Sequence, residues 1–151
     1  MSEITHGSAG REAGGADGPA PAFEIYPVPD KGDGRGSAFF LNEDAIRWLG
    51  EVRELHVVAI APGKVRGNHM HHERREVIFV SYDGAIEIAW REPGSDRTEL
   101  RRIEGHGGFV AKIEPRTLHA FRNAGEGPVQ VVSMSNGRFD PSETEYHTLL
   151  A

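Results

Sequence analysis

The sequence predicts an all-β fold, a small barrel or sandwich of short strands that follows one short helix. Short apolar runs recur between residues 55 and 135, and residues typical of turns separate them. A single segment ahead of these runs has apolar residues at helical spacing. The chain has 151 residues, which suits one domain with one core.

The first fifty residues divide into a predicted tail, two strands and the helix. Residues 1–22 contain five glycines and no aromatic side chain, so they cannot bury enough surface to offset the entropy of ordering. We therefore predict a disordered N-terminal tail over 1–22 and one domain over 23–151. Strands are expected at 23–26, where a proline follows, and at 37–41. A helix is expected from Asn42 as N-cap to Gly50 as stop.

The rest of the chain reads as strands and turns. Asp83-Gly84 predicts a tight turn between two of the strands, and Gly107-Gly108 precedes another strand. The predicted strands cover residues 55–61, 77–82, 85–90, 99–103, 109–113, 119–121 and 129–134.

Composition narrows the function classes. A net charge of −6 without a basic stripe argues against a nucleic-acid partner. The absence of cysteine excludes disulfides, thiolate metal sites and cysteine nucleophiles, and it fits a reducing cytoplasm. No apolar run is long enough for a membrane span, so we expect a cytoplasmic protein without a membrane partner.

Histidines cluster between two predicted strands. His69 and His71 are two residues apart, so on an extended chain both side chains point to the same side. Glu76 begins an apolar strand, where a buried carboxylate needs a cationic partner, and His119 follows a proline turn. These four residues could hold one divalent metal ion, Zn, Fe, Ni or Mn. His72 points away from the pair and is interpreted as a residue at the rim or behind the ligands; the alternative for the whole cluster is a solvated loop.

Two stretches resemble known sequence motifs. The stretch from Gly63 to Glu76 is similar to the first motif of the cupin superfamily, and the stretch from Pro115 to Asn123 is similar to the second. The resemblance implies a small double-stranded β-helix, or jelly-roll, barrel that binds a metal through His69, His71, Glu76 and His119. This sequence departs from the motifs at Gly84, one residue later than usual, and at Thr117, where a glycine is expected.

A narrower resemblance links the chain to the sugar-nucleotide branch of the cupins. Residues 48–50, 61–69, 114–123 and 139–141 are similar to dTDP-4-dehydrorhamnose 3,5-epimerase-like proteins and to the C-terminal domain of capsular polysaccharide enzymes. In the epimerases the histidine matching His69 removes a proton next to a ketone without a metal. The resemblance therefore makes His69, with His119, the candidate catalytic residues.

Other side chains are candidates by type and position. Lys64, Arg66 and Arg122 could bind a diphosphate or carboxylate, although solvated charge is the alternative reading. Tyr82 and Tyr146 are candidate acids. Two further residues share faces with apolar neighbours and are assigned to the core, His56 and Trp90.

We expect a metal-binding cupin enzyme that removes a proton next to a carbonyl of a small substrate such as a keto-sugar nucleotide. The alternatives are an iron-dependent dioxygenase and a non-catalytic cupin that binds a sugar. A homodimer is expected, because small barrels often protect an edge strand by pairing.

Overall fold

The computed structural model describes residues 18–151 of the chain, which form eight strands and one α-helix. The strands are β1 (Phe23–Val28), β2 (Glu54–Ile60), β3 (Val65–His71), β4 (Glu76–Arg91), β5 (Glu99–Ile113), β6 (Leu118–Asn123), β7 (Val129–Ser135) and β8 (Thr144–Tyr146). The helix α1 (Glu43–Leu49) precedes β2, and a single 3-10 turn (Pro141–Glu143) precedes β8.

Two antiparallel sheets face each other, and β4 and β5 take part in both. The first half of β4 pairs with β7, which pairs with β2, while the second half of β4 pairs with β6. Strand β6 continues to β3 and then β8, and β1 pairs with the end of β5. The prediction of a small all-β barrel with one short helix before it is therefore confirmed.

The predicted turn at Asp83-Gly84 is wrong, because β4 runs through it without interruption. Gly84 lies opposite Gly105 in the pairing of β4 with β5, and the two have φ angles of 120° and 109°. These conformations are accessible to glycine, and they let the paired strands bend from one sheet into the other. Strand β5 likewise continues through Gly107-Gly108. The glycines in β4 and β5 therefore mark a bend in one long hairpin and not its turn.

Two smaller strand predictions also need correction. Residues 37–41 form no strand, and Phe39 instead packs its ring on Phe79 with the centroids 5.1 Å apart. Pro27 does not end β1, because β1 is the outermost strand of its sheet and the missing N–H is tolerated there. The predicted helix is confirmed, with Gly50 at its end and with Ala45 and Leu49 buried against the outer face of the first sheet.

The main core lies between the sheets and fills one end of the barrel. It contains Phe109, Phe121, Val80, Ile86 and Ile88, all almost completely buried. Trp90 stacks on Phe23 at the edge of this cluster, 4.7 Å between centroids, as expected of a core residue.

Most of the predicted tail, 1–17, lies outside the described residues, so its disorder stays a prediction. Ala22 is already hydrogen-bonded to the barrel: its N–H donates to Glu92, and its carbonyl accepts from the N–H of Glu114.

Candidate functional site

A cavity of about 620 Å³ opens between the sheets at the end of the barrel away from the main core. Apolar side chains such as Ile60, Ile78 and Phe121 form its floor. Its polar lining includes Glu54, His56, Arg66, His69, His71, Arg74, Glu76, His119, Thr144 and Tyr146. This volume is within the range of small-molecule sites in proteins.

A bulge in β3 sets which side chains enter the cavity. Gly67 and Asn68 have φ angles of 95° and 55°, and the register with β6 shifts between Gly67 and His69. An inserted residue reverses the alternation of side chains, so Arg66 and His69 both line the cavity although they are three apart. A Cβ at Gly67 would lie 2.7 Å from the carbonyl oxygen of His119, so glycine is required there.

The four predicted ligands meet in this cavity. Donor atoms of His69, His71 and Glu76 all lie within 4.8 Å of one another. Glu76 Oε1 lies 3.3 Å from His71 Nε2, and its Oε2 lies 3.3 Å from His119 Nε2. The rings of His69 and His119 meet edge to face with centroids 4.9 Å apart. The structure thus brings three imidazoles and one carboxylate together from three strands.

Two atoms of this cluster are buried without a hydrogen-bond partner, His119 Nε2 and Glu76 Oε2. His119 Nδ1 donates to the carbonyl of Thr117 at 2.9 Å, so the proton of a neutral ring is on Nδ1. Nε2 then presents a lone pair to a carboxylate oxygen, and two acceptors face each other. Such an arrangement calls for a cation, either a second proton on the ring or a metal ion between the atoms.

Burial and the neighbouring charges set the protonation of the cluster. Desolvation, reinforced by repulsion from His119, lowers the pKa of His69 to about 3, so its ring is neutral at pH 7. Burial opposes ionisation of Glu76, but the adjacent imidazoles of His119 and His71 outweigh it and hold the pKa of this carboxyl well below its usual value. At neutral pH the cluster thus contains a carboxylate and at least one imidazole with a free lone pair.

A buried arginine supports the cluster from one side. Arg74 is 7% exposed, and its Nη2 lies 3.4 Å from His71 Nε2. Its guanidinium also contacts Glu54 Oε2 at 2.9 Å and Glu143 Oε2 at 3.2 Å. Because two carboxylates flank it, the arginine charge is balanced while it fixes the position of His71.

A second histidine–carboxylate pair lies in the same cavity. His56 Nδ1 is 3.1 Å from Glu54 Oε1, and its side chain is 48% exposed. The assignment of His56 to the core is therefore wrong: it shares the inward face with Val58 and Ile60, as expected, but at this end of the barrel that face is open.

The C-terminal segment completes the wall. Strand β8 pairs with β3, and it brings Thr144 Oγ1 within 3.0 Å of His71 Nδ1. Tyr146 lies edge-on to His69, with ring centroids 5.9 Å apart. Tyr146 therefore lines the cavity and its role as an acid stays a prediction, whereas Tyr82 is buried in the core beside Phe109.

Of the predicted substrate-binding residues, only Arg66 lines the cavity. Lys64 is exposed on the turn before β3. Arg122 faces outward, because His119 and Phe121 alternate inward on β6, and it pairs with Glu87 at 2.6 Å. The structure thus places Lys64 and Arg122 away from the cavity.

His72 also lies away from the ligands, because it follows His71 on the opposite face. It lines a different cavity on the outside of the barrel and approaches Glu145 at 3.4 Å. The interpretation of His72 as a residue at the rim or behind the ligands is therefore wrong.

Sequence reasoning missed Arg74, Glu54 and Thr144 as parts of the site. Arg74 lies in the charged run of the first motif, where no alternation of polar and apolar residues indicates which side chain is buried. The Glu54-x-His56 pair is visible in the sequence, and its spacing places both side chains on one face of a strand. Thr144 could not be found, because no strand pattern indicates a three-residue strand.

The fold and the cavity together define a cupin-type barrel with a histidine-rich pocket. Residues 32–147 match the polysaccharide biosynthesis C-terminal domain family, and the chain belongs to this family. A search of curated protein sequences finds no significant match.

Solved structures with a similar fold include a sugar ketoisomerase and a sugar epimerase. QdtA, a sugar 3,4-ketoisomerase from Thermoanaerobacterium thermosaccharolyticum in complex with TDP, has a TM-score of 0.61 at 15% identity, covering 82% of this chain and 87% of that chain. NovW, a 4-keto-6-deoxy sugar epimerase from the novobiocin gene cluster of Streptomyces spheroides, has a TM-score of 0.64 at 14% identity. The match covers 83% of this chain and 68% of that chain.

A third similar structure is larger than this chain. The capsular polysaccharide assembling protein CapF from Staphylococcus aureus has a TM-score of 0.56 at 25% identity, and the match covers 82% of this chain and 35% of that chain. Among the residues that the structure describes, no helix is long and apolar enough to cross a bilayer.

Proposed function

We propose that this protein is an epimerase or ketoisomerase that moves a proton next to the carbonyl of a keto-sugar nucleotide. The observation that carries the proposal is the convergence of three imidazoles, a carboxylate and Arg66 in one cavity of suitable volume. Proton removal next to a ketone needs a base and a cationic group for the enolate oxygen, and these side chains are of the types that supply both. The family and the sugar-nucleotide enzymes of the same fold support this substrate class.

We further propose that the cluster holds one divalent metal ion. Imidazole nitrogens and a carboxylate oxygen are suitable donors for Zn, Fe, Ni or Mn, and the facing acceptors on His119 and Glu76 lack a cation. The residues that would hold it are His69, His71, Glu76 and His119. A bound metal would supply Lewis-acid stabilisation of the enolate oxygen.

The two roles predicted for His69, ligand and base, exclude each other. A ring nitrogen that binds a metal has no lone pair with which to accept a proton. The burial of His69 among other imidazoles favours the ligand role, because the protonated form is disfavoured there.

The proposed reaction predicts exchange of substrate hydrogen with solvent. TDP-4-keto-6-deoxyglucose, which is bound in a structure of a QdtA variant, is a suitable probe. Incubation in D₂O should place deuterium at a carbon next to the ketone, as followed by NMR and mass spectrometry. If purified protein with its metal restored catalyses no exchange, the proposed function is refuted.

Metal analysis of protein purified without chelator tests the cofactor. We expect close to one equivalent of metal, and less than a tenth of that in Glu76→Gln. Oxygen uptake with bound iron would instead support a dioxygenase. Binding of the sugar nucleotide without any deuterium exchange would support a non-catalytic sugar-binding cupin.

A homodimer in the cytoplasm also stays a prediction. Leu55 and Val57 are 57% and 62% exposed on β2, which lies at a sheet edge and offers an apolar surface for a second copy. Light scattering of the wild type and of Val57→Lys would test it, because a dimer through this surface should dissociate in the variant.

A further inference from the structure

We infer that His56, oriented by Glu54, is the general acid–base residue that exchanges the proton with the substrate. This inference rests on the proposed function and names the residue that carries the proton, since the four clustered side chains are assigned to the metal. No feature of the cupin motifs includes His56, which lies before the first motif.

The geometry is that of an oriented imidazole. Glu54 Oε1 lies 3.1 Å from His56 Nδ1, so the carboxylate accepts a hydrogen bond from Nδ1–H and leaves Nε2 with a lone pair. Glu54 is itself fixed, because its other oxygen accepts from Arg74 Nη1 at 2.9 Å. The imidazole is therefore held in one tautomer by a carboxylate that a buried guanidinium holds in place.

His56 has the access that two of the clustered histidines, His71 and His119, lack. Its side chain is 48% exposed, whereas those of His71 and His119 are 5% and 1% exposed. It lines the same cavity as the cluster, so a bound substrate can touch both. A base must reach the substrate and release its proton again, and the open position of His56 allows both.

The separation across the cavity suits a sugar ring. Ser133 of β7 lies between His56 on β2 and Ile78 on β4 in the register of the sheet. Two strand spacings amount to about 10 Å, so His56 and the strand that carries Glu76 lie about 10 Å apart on the cavity face of one sheet, a separation that a bound pyranose can span. The carbonyl would face the cluster while an adjacent carbon faces His56.

The proton transfer can be written in full. The C–H bond next to the ketone breaks, its proton passes to Nε2 of His56, and the electron pair moves into the carbonyl to give an enolate. Glu54 stabilises the imidazolium that forms. In epimerisation, the Tyr146 hydroxyl protonates the other face of that carbon, the carbonyl re-forms, and solvent takes the proton from His56 and returns one to the tyrosinate. In ketoisomerisation, His56 returns its proton to the former carbonyl carbon, while the hydroxyl proton of the adjacent carbon is lost to solvent and the enolate oxygen takes one up, so neither route needs an oxidant or reductant.

Removal of the imidazole and its chemical rescue test this assignment. In D₂O with TDP-4-keto-6-deoxyglucose, we expect His56→Ala to lower the exchange rate by about 10²- to 10⁴-fold, the usual contribution of a general acid–base residue. The Kd for TDP should stay within about twofold, and added imidazole should restore part of the rate. Glu54→Gln, in the positioning residue, should lower kcat with little change in KM.

His72→Ala is a matched control, because His72 also pairs with a glutamate but lies outside the cavity. It should exchange at the wild-type rate and show no response to imidazole. Circular dichroism and melting temperature establish that each variant is folded.

The outcomes separate this inference from the function on which it rests. If the wild type exchanges deuterium and the exchange rate of His56→Ala is within about threefold of it, the role of His56 is overturned and the proposed function stays intact. Lost exchange without imidazole rescue, with weakened binding of TDP, would also overturn it, since His56 would then bind substrate. A wild type that exchanges nothing would refute the proposed function first.

Discussion

Asn123 ends β6 and should be among the most sensitive positions of the fold, although it lies outside the cavity. Its side chain is completely buried. The amide Nδ2 donates to the carbonyls of Ile60 and Gly127, both at 2.8 Å, and Oδ1 accepts from the N–H of Gly125 at 3.1 Å. The Asn123→Ala variant loses these three hydrogen bonds and leaves the carbonyl of Ile60 buried without a donor.

The expected loss follows from those contacts. At about 1 kcal/mol for each hydrogen bond, the free energy of unfolding should fall by about 3 kcal/mol, and more if no water reaches the stranded groups. For a chain of this length that corresponds to a drop in Tm of roughly 6–12 °C. Urea denaturation followed by fluorescence measures the first quantity, and calorimetry measures the second.

Two further variants make the argument refutable. Asn136→Ala is the matched control, because the Asn136 side chain accepts one bond, from the N–H of Arg75 at 2.8 Å, and should lose only about 1 kcal/mol. Asn123→Asp keeps the shape but replaces the donor by an oxygen that faces two carbonyls, so it should be at least as unstable as Asn123→Ala. An Asn123→Asp protein as stable as wild type would show that shape, and not hydrogen bonding, explains this residue.

Three other predictions concern the site and the surface. Gly67→Ala should lower the free energy of unfolding by at least about 1–2 kcal/mol, because the new Cβ would meet the His119 carbonyl and the residue would keep a positive φ. The variant should also lose bound metal and exchange activity, and a wild-type metal content would contradict this account. Arg74→Met should lower the free energy of unfolding by about 2–3 kcal/mol, since two partly buried carboxylates lose their cation, and an unchanged midpoint in urea would refute that account. The exposed pair His106–Asp30 should stabilise the fold mainly between pH 3.8 and 6.5. Asp30 raises the pKa of His106, so the contribution of His106 to stability is lost as the pH rises above 6.5. The hydrogen bond from His106 lowers the pKa of Asp30, so the contribution of Asp30 is lost as the pH falls below 3.8. His106→Gln should therefore destabilise more at pH 5 than at pH 8, and an equal effect at both would contradict the linkage.

Much of the site was accessible from the sequence because short-range rules govern it. The alternation of side chains along a strand places His69 and His71 on one side, and an acid at the start of an apolar strand signals a buried partner for Glu76. His119 was found through its motif, despite the departure from the usual spacing. These inferences need only local geometry and one pairing of strands.

The errors arise where long-range pairing overrides a local signal. Asp83-Gly84 has the composition of a turn, yet a glycine opposite Gly105 in a paired strand lets the hairpin bend without ending. Arg122 is an exception, because it is three residues from the inward-facing His119 and simple alternation along the strand already predicts that it faces outward. His56 was placed on the correct face, but which end of the barrel is open depends on side chains far away in the chain.

The bend at Gly84 and Gly105 has a consequence for how the chain folds. Because β4 and β5 are neighbours in sequence, the loop that joins them closes at a small entropic cost, and the hairpin can form early. Each half of that hairpin is a template for a different sheet, so one early event sets the register of both. Strand β7 can then add to the first half of β4 and β6 to the second half, in either order. Amide hydrogens near the bend should thus be among the slowest to exchange, and substitutions there should slow folding more than they speed unfolding.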